Sequence, residues 1–198
     1  DKLVHEYHPT KNTEDIYNIT VNKRVWWLCS KDSSHEWQNN LSGRKAGQRC
    51  PYCTNKKILV GNNDLATTHP ELAKEWHPTL NKEKHPQDFI AGSHKKAHWL
   101  CSEGHPYEAQ IKSRAYNNTG CAYCKNQKIL VGYNDLATTH PQIAAQIHPT
   151  LNGKIRAEDL LSGSPTKLFW LCEKTHDWET EIRERTLGSG CPICSNRK

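Results

Sequence analysis

WWLCSKDSSHEW, Trp26–Trp37, is the stretch on which the fold turns, because the chain writes it three times. It returns as HWLCSEGHPY, His98–Tyr107, and as FWLCEKTHDW, Phe169–Trp178. Each copy is followed, with fourteen or fifteen residues between its histidine and the first Cys, by a Cys-x2-Cys pair: CPYC (Cys50–Cys53), CAYC (Cys121–Cys124) and CPIC (Cys191–Cys194). All nine cysteines of the 198-residue chain therefore fall into three equivalent sets.

An odd number of cysteines cannot form a complete disulfide framework. Three cysteines per set cannot pair off either, and a redox Cys-x2-Cys has no need of the third Cys and the His. Two ligands on one turn and two on another close a tetrahedron, which is what a structural zinc demands. The expected sites are Cys29, His35, Cys50 and Cys53; Cys101, His105, Cys121 and Cys124; and Cys172, His176, Cys191 and Cys194. Thiolates with an imidazole favour zinc over magnesium or calcium. A second repeated histidine, His8, His77 and His148 of the HPT motifs, is the alternative fourth ligand. Sharing a turn with the Cys favours the hairpin histidine and leaves the HPT histidine to cap or pack. Four protein ligands leave no open position for water or substrate, so these metals hold the fold together instead of doing chemistry.

The steps between Cys pairs are 71 and 70 residues, and the segments KILVGNNDLATTHP (from Lys57) and KILVGYNDLATTHP (from Lys128) are nearly the same. EYHPTKN (Glu6–Asn12), EWHPTLN (Glu75–Asn81) and QIHPTLN (Gln146–Asn152) follow the same period. Such self-similarity marks a repeat architecture, here three modules at 1–57, 58–128 and 129–198. The first lacks the DLATTHP lead, the chain begins at Asp1 and it contains no Met. It reads as a piece of a longer protein that starts inside its first repeat.

Within a module, RVWWLC, KAHWLC and KLFWLC read as strands, and EWQNNL, YEAQIK and WETEIR as their return strands. Cys and His then occupy the hairpin turn, with the Cys pair on a separate turn. THPELAKEW (Thr68–Trp76) predicts a short helix with Pro in its first turn. The fold class expected is small α+β zinc modules: three tandem repeats, each a β-hairpin and a short helix around one Cys3His zinc. Composition agrees. Only 35% of residues are hydrophobic and 24% are charged, and units with so little apolar surface need a metal or disulfides to stay folded. Trp27, Trp99 and Trp170, each two residues before a ligand Cys, are the expected core over the metal. Trp37, Tyr107 and Trp178 alternate with charges and are expected half exposed.

The order HPT-x-N, a Gly-Ser and basic stretch, W-x-C-x3-H-x-W and C-P-x-C resembles the tandem "probable zinc-ribbon" repeats, treble-clef-like modules of bacterial and viral proteins. The resemblance covers nearly the whole chain. It departs at CAYC, which lacks the Pro, at Tyr107 in place of Trp, and at the five-residue spacing of Cys29 and His35. A treble clef ends in a helix at its last Cys pair, and only Ser195–Lys198 follow the third pair. Repeats of this family lie beside nuclease domains, which implies a DNA-binding accessory role.

Basic positions recur in register. Arg44, Arg114 and Arg185 each lie seven residues past the aromatic that follows the ligand His, and Lys23 with Arg24, Lys95 with Lys96, and Lys167 precede the first strands. Arg and Lys beside aromatics suit phosphate contact and base stacking. A structural role for the arginines, bonding carbonyls around the zinc loop, would recur equally. Residues 1–57 hold ten Lys and Arg against six Asp and Glu, 58–128 nine against seven, and 129–198 eight against eight. The formal +6 falls to about +3 once three anionic Cys3His centres form. Affinity for phosphate is thus expected to concentrate in the first module.

The reading is a nucleic-acid-binding array, most simply for double-stranded DNA, in the accessory or targeting part of a nuclease, defence or mobile-element protein. A protein-protein scaffold in a nucleoprotein complex is the alternative, with a nuclease or other subunit as partner. Catalysis is not expected, since no paired acid and base or Gly-rich phosphate loop stands out, and no small-molecule substrate is indicated. No signal peptide and no spanning apolar run appears. An intracellular place is expected, cytoplasmic in a bacterial or viral setting, with the nucleus left open.

Overall fold

The computed structural model describes residues 2–196. The same elements recur in chain order. The first repeat has α1 (Lys2–Glu6), the hairpin β1 (Arg24–Leu28) and β2 (Glu36–Asn40), then α2 (Leu41–Lys45). The second has α3 (Leu65–Thr68), α4 (Pro70–Lys74), the hairpin β3 (Lys96–Leu100) and β4 (Pro106–Gln110), and α5 (Ile111–Asn117). The third has α6 (Leu136–Thr139), α7 (Pro141–Ala144), the hairpin β5 (Lys167–Leu171) and β6 (Asp177–Glu181), and α8 (Ile182–Thr186). Each sheet has two strands. The chain divides into two compact units, one running to Trp99 with Glu108–Asn118, the other Leu100–Tyr107 with the chain from Thr119 on. Among the described residues no helix is long and apolar enough to cross a membrane.

Aromatic and β-branched residues favour a pleated, half-buried surface, and each first strand alternates from an exposed basic residue to two buried side chains. The second buried residue is the Trp expected in the core: Trp27, Trp99 and Trp170 are fully buried. Each indole N–H reaches a carbonyl on the return strand, Asn39 O at 3.0 Å, Ala109 O at 3.1 Å and Thr180 O at 3.0 Å. The polar edge of the ring is thereby satisfied while its body is buried. Trp27 stands opposite Trp37, and Trp170 opposite Trp178. The half-exposed expectation holds only for Trp178; Trp37 and Tyr107 are buried, Trp37 in the same cluster as Trp27.

The HPT motif is a turn stapled to the hairpin. His8, His77 and His148 accept two backbone N–H bonds each at Nδ1, from the residues two and three positions on. Capping is thus their work, and the metal clusters do not include them. The motif's Asn bridges to the first strand. Asn152 donates to His148 O (3.1 Å) and Phe169 O (2.8 Å) and accepts from Phe169 N–H (2.8 Å); Asn12 and Asn81 repeat the pattern on Trp26 and His98. Removing such a side chain strands backbone groups that water reaches poorly, at about 1–3 kcal/mol. Asn152→Ala is expected to lower stability by about 2 kcal/mol in urea unfolding, whereas Leu151→Ala, at an exposed position, should change it little.

The helix expected over Thr68–Trp76 is two helices. His69 takes φ −137° and ψ 64° between α3 and α4, since the residue before a proline is disfavoured in the helical region. Trp76 lies past the end of α4 yet docks edge-on to Trp99, ring centroids 5.2 Å apart. The Cys pairs do not open a helix among the described residues. Each closes in a turn ending in a left-handed Asn, with φ 55°, 52° and 51° at Asn55, Asn126 and Asn196, a conformation Asn tolerates better than other side chains. Arg197 and Lys198, included in the expectation about the terminal helix, lie outside the described residues.

Candidate metal centres

Each hairpin turn is tied off by a bond from the ligand Cys N–H to the ligand His carbonyl, 3.0 Å for Cys29 and His35, 3.2 Å for Cys101 and His105, 3.1 Å for Cys172 and His176. This holds Sγ and the imidazole on one side of the turn, facing the Cys pair. Three groups of metal-ligating side chains result: Cys29, His35, Cys50 and Cys53; Cys101, His105, Cys121 and Cys124; Cys172, His176, Cys191 and Cys194. Their donor atoms lie within 4.8 Å of one another in each group.

Zinc bonds of about 2.3 Å to sulfur and 2.0–2.1 Å to nitrogen, set tetrahedrally, require S···S near 3.8 Å and S···N near 3.6 Å. The first cluster has Cys29–Cys53 at 3.6 Å and His35 Nδ1 at 3.7 and 3.4 Å from Cys50 and Cys53. The second has Cys101–Cys124 at 3.7 Å and His105 Nδ1 at 3.3 and 4.0 Å from Cys124 and Cys121. The third has Cys172–Cys194 at 3.9 Å and His176 Nδ1 at 3.6, 3.3 and 3.7 Å from its three thiols. The donor set and spacing fit three structural zinc ions, each bound through Nδ1.

Within each cluster the thiols are pushed in opposite directions. Burial pushes Cys29 up, but hydrogen bonds from the Lys31 N–H, Cys53 and His35 outweigh it and bring the thiol down to about 7. Burial and the neighbouring Cys29 and Cys50 push Cys53 up to about 12. Cys124 and Cys194 rise to about 11 for the same reasons, while Cys101 and Cys172 fall. Adjacent thiolates repel, and a divalent ion between them removes the conflict.

Arg44, Arg114 and Arg185 are inside the modules. All three are buried. The Arg44 guanidinium lies 5.0 and 5.2 Å from the Trp27 and Trp37 rings, Arg185 5.4 and 5.2 Å from Trp170 and Trp178, and Arg114 5.5 Å from Trp99. Arg44 also bonds Gln48 O and Glu6, Arg114 bonds Glu75, and Arg185 bonds Ser189 O and Gln146 Oε1. Gln48 and Ser189 stand two residues before a ligand Cys. The arginine therefore clips three parts together: the hairpin aromatics, the approach to the Cys pair in the first and third modules, and the Glu or Gln that opens each HPT motif. As surface phosphate contacts these three positions are corrected, since their donors face inward. Lys23, Arg24, Lys95, Lys96 and Lys167 are all exposed.

The segment between modules is part of the site, which sequence reasoning missed. His35 Nε2, the nitrogen away from the metal, bonds Asn62 Oδ1 at 2.9 Å. Asn63 Nδ2 donates to Tyr52 O inside CPYC (3.0 Å) and to Lys57 O (2.9 Å), and Asn134 repeats this on Tyr123 and Lys128. The next residue turns to the following module. Asp64 and Asp135 are buried, cap α3 and α6, and receive Gly61 and Gly132 N–H at 2.7 and 2.6 Å. Burial alone would raise these carboxyls, but hydrogen bonds from the Thr67 and Thr138 hydroxyls and N–H groups, and then from Gly61 and Gly132, hold them below the usual carboxylate range. The near-identity of KILVGNND and KILVGYND was the signal available.

The family model described as a probable treble clef zinc finger domain matches residues 3–56, 72–127 and 143–197, one match for each metal cluster. No curated protein matches the chain significantly.

Proposed function

The chain belongs to the probable treble clef zinc finger family, and from that premise we propose that its modules form an array binding nucleic acid, specifically double-stranded DNA. In this reading the array is the accessory or targeting part of a larger nuclease, defence or mobile-element protein, and it is not itself catalytic. The observation that carries the reading is positional. In every module an exposed cation stands at the head of the first strand: Lys23 and Arg24, Lys95 and Lys96, Lys167. A cation repeated at the same place in each module suits a ligand whose phosphates also repeat.

Their present partners are weak competitors. Lys96 pairs with Glu108 at 3.0 Å with both side chains exposed, Lys23 pairs with exposed Glu14, and Arg24 reaches Gln38 O at 3.4 Å. Exposed pairs contribute roughly 0–1 kcal/mol, so exchanging them for phosphates costs little. The charge-balanced third module, with Leu187 and Ile193 80% and 55% exposed, supports a second reading, contact with a protein subunit.

The test is a titration of the zinc-loaded chain against labelled duplex DNA, single-stranded DNA and RNA at two salt concentrations. Submicromolar duplex binding that weakens steeply with salt is expected. The Lys23→Ala/Arg24→Ala variant should reduce the slope of log K against log salt by roughly one for each phosphate it no longer neutralises. Lys167→Ala should have a smaller effect. No binding to any of the three would replace this reading with the protein-partner one.

A further inference from the structure

We propose that Asn62, carried by the segment between the first two modules, is the positioning residue for zinc ligand His35, and that Tyr133 at the equivalent place makes the second centre different in kind. The inference concerns metal binding and stands whether or not the array binds nucleic acid.

His35 presents Nδ1 to the thiols, 3.4 Å from Cys53 and 3.7 Å from Cys50. Its other nitrogen therefore carries the proton when the ring is a neutral ligand, and Asn62 Oδ1 at 2.9 Å accepts it. The amide cannot be the other way round, because its Nδ2 faces Asp32 Oδ2 at 3.1 Å and a carboxylate accepts only. Asp32 is held in turn by the Ser34 hydroxyl and N–H at 2.6 and 2.9 Å. Asp32 Oδ2 itself stands 3.5 Å from His35 Nε2, longer than a normal N–H···O bond, so the chain Ser34, Asp32, Asn62, His35 fixes both the tautomer and the ring orientation from outside the metal. Partners of this kind are worth about 10–100-fold in metal affinity.

Asn62 is itself held. Its neighbour Asn63 is bonded into the CPYC turn, Asp64 is the buried cap of α3, and Leu65 N–H donates to Phe89 O at 2.7 Å. A loop residue fastened on both sides can hold an imidazole; a freely moving one could not.

At the second centre the frame is the same and the residue differs. Asn134, Asp135 and Leu136 make the bonds of Asn63, Asp64 and Leu65. Tyr133 instead sets its ring against His105, centroids 4.0 Å apart at 65°, with its hydroxyl 4.0 Å from Cys124 Sγ. That contact restrains the ring by packing, where Asn62 supplies an acceptor. The first centre should therefore hold its zinc more tightly than the second.

The experiment uses the full zinc-loaded chain, with a chelator competing for metal and occupancy followed site by site from the histidine ring nitrogen shifts. The second centre is expected to release zinc before the first. Asn62→Ala should weaken the first centre about tenfold or more and abolish the slowly exchanging His35 Nε2–H resonance, leaving the third centre unchanged. The exchange pair Asn62→Tyr with Tyr133→Asn should reverse the order of release. Asn62 is half-buried and outside the core, so these variants keep their fold. An Asn62→Ala protein with unchanged affinity at the first centre, or an Nε2–H resonance that survives, overturns the proposal.

Discussion

Chelating the zinc is expected to unfold the modules outright, not to leave folded modules with vacant sites. The core around the first centre consists of Ile19, Val25, Trp27, Cys29, Trp37, Leu41 and Cys50, and two of those seven are themselves ligands. The fully buried cluster in the third module is Leu136, Leu168, Trp170 and Ile182. Cores of this size do not offset the conformational entropy of seventy-odd residues. Structural zinc supplies an apparent ~10–16 kcal/mol in comparable small units, as much as the whole stability of an ordinary domain, about 5–15 kcal/mol. Near-ultraviolet circular dichroism from the packed tryptophans should vanish on chelation and return with zinc. Cys121→Ser should bind two equivalents of zinc in place of three. A tertiary signal that persists after complete chelation would show that the cores stand unaided.

The second large effect is expected at Trp27. It is fully buried, bonds Asn39 O, lies 5.0 Å from the Arg44 guanidinium and meets Tyr7 edge-on at 5.8 Å. Truncation of a buried Trp removes the transfer energy of the ring and leaves a cavity, together about 3–5 kcal/mol. It would also uncover a cation held between two rings, so Trp27→Ala should fall at the upper end and loosen the first metal centre. Trp26, one residue earlier, points the other way. It is half-buried with Lys11 over its ring at 4.8 Å, and Trp26→Ala should cost about 1 kcal/mol or less. Equal losses from the two neighbours in chemical denaturation would contradict the register of the hairpin.

The parts legible in the sequence were those with a fixed period or a fixed donor count. Cys and His recur in register and cannot be explained by packing, so the metal clusters followed. The alternation around each WLC gave the hairpins. The helices α2, α5 and α8 were not read, because LSGRK, IKSRAYN and IRERT are too short to show a helical period. The arginines illustrate a different limit. A cation repeated beside aromatics looks the same in sequence whether it faces phosphate or is enclosed by two indoles. Only the partner decides, and Glu6, Glu75 and Gln146 lie thirty-eight or thirty-nine residues away from their arginines. Asn62 escaped notice because the segment carrying it reads as a connector. Its bond to His35 joins residues twenty-seven apart, a pairing that no local pattern announces.

The same connector has something to say about descent. Over the fourteen residues from Lys57 to Pro70 and from Lys128 to Pro141, the two copies differ at a single place, Asn62 against Tyr133. The module bodies have drifted much further, HEWQNNLSGRK beside HPYEAQIKSRA. A stretch that must suit the knuckle behind it and the helix ahead has fewer permitted spellings than one that answers only to its own core. Copies of such a stretch change slowly after a duplication, and they keep the register in which a further copy could be added.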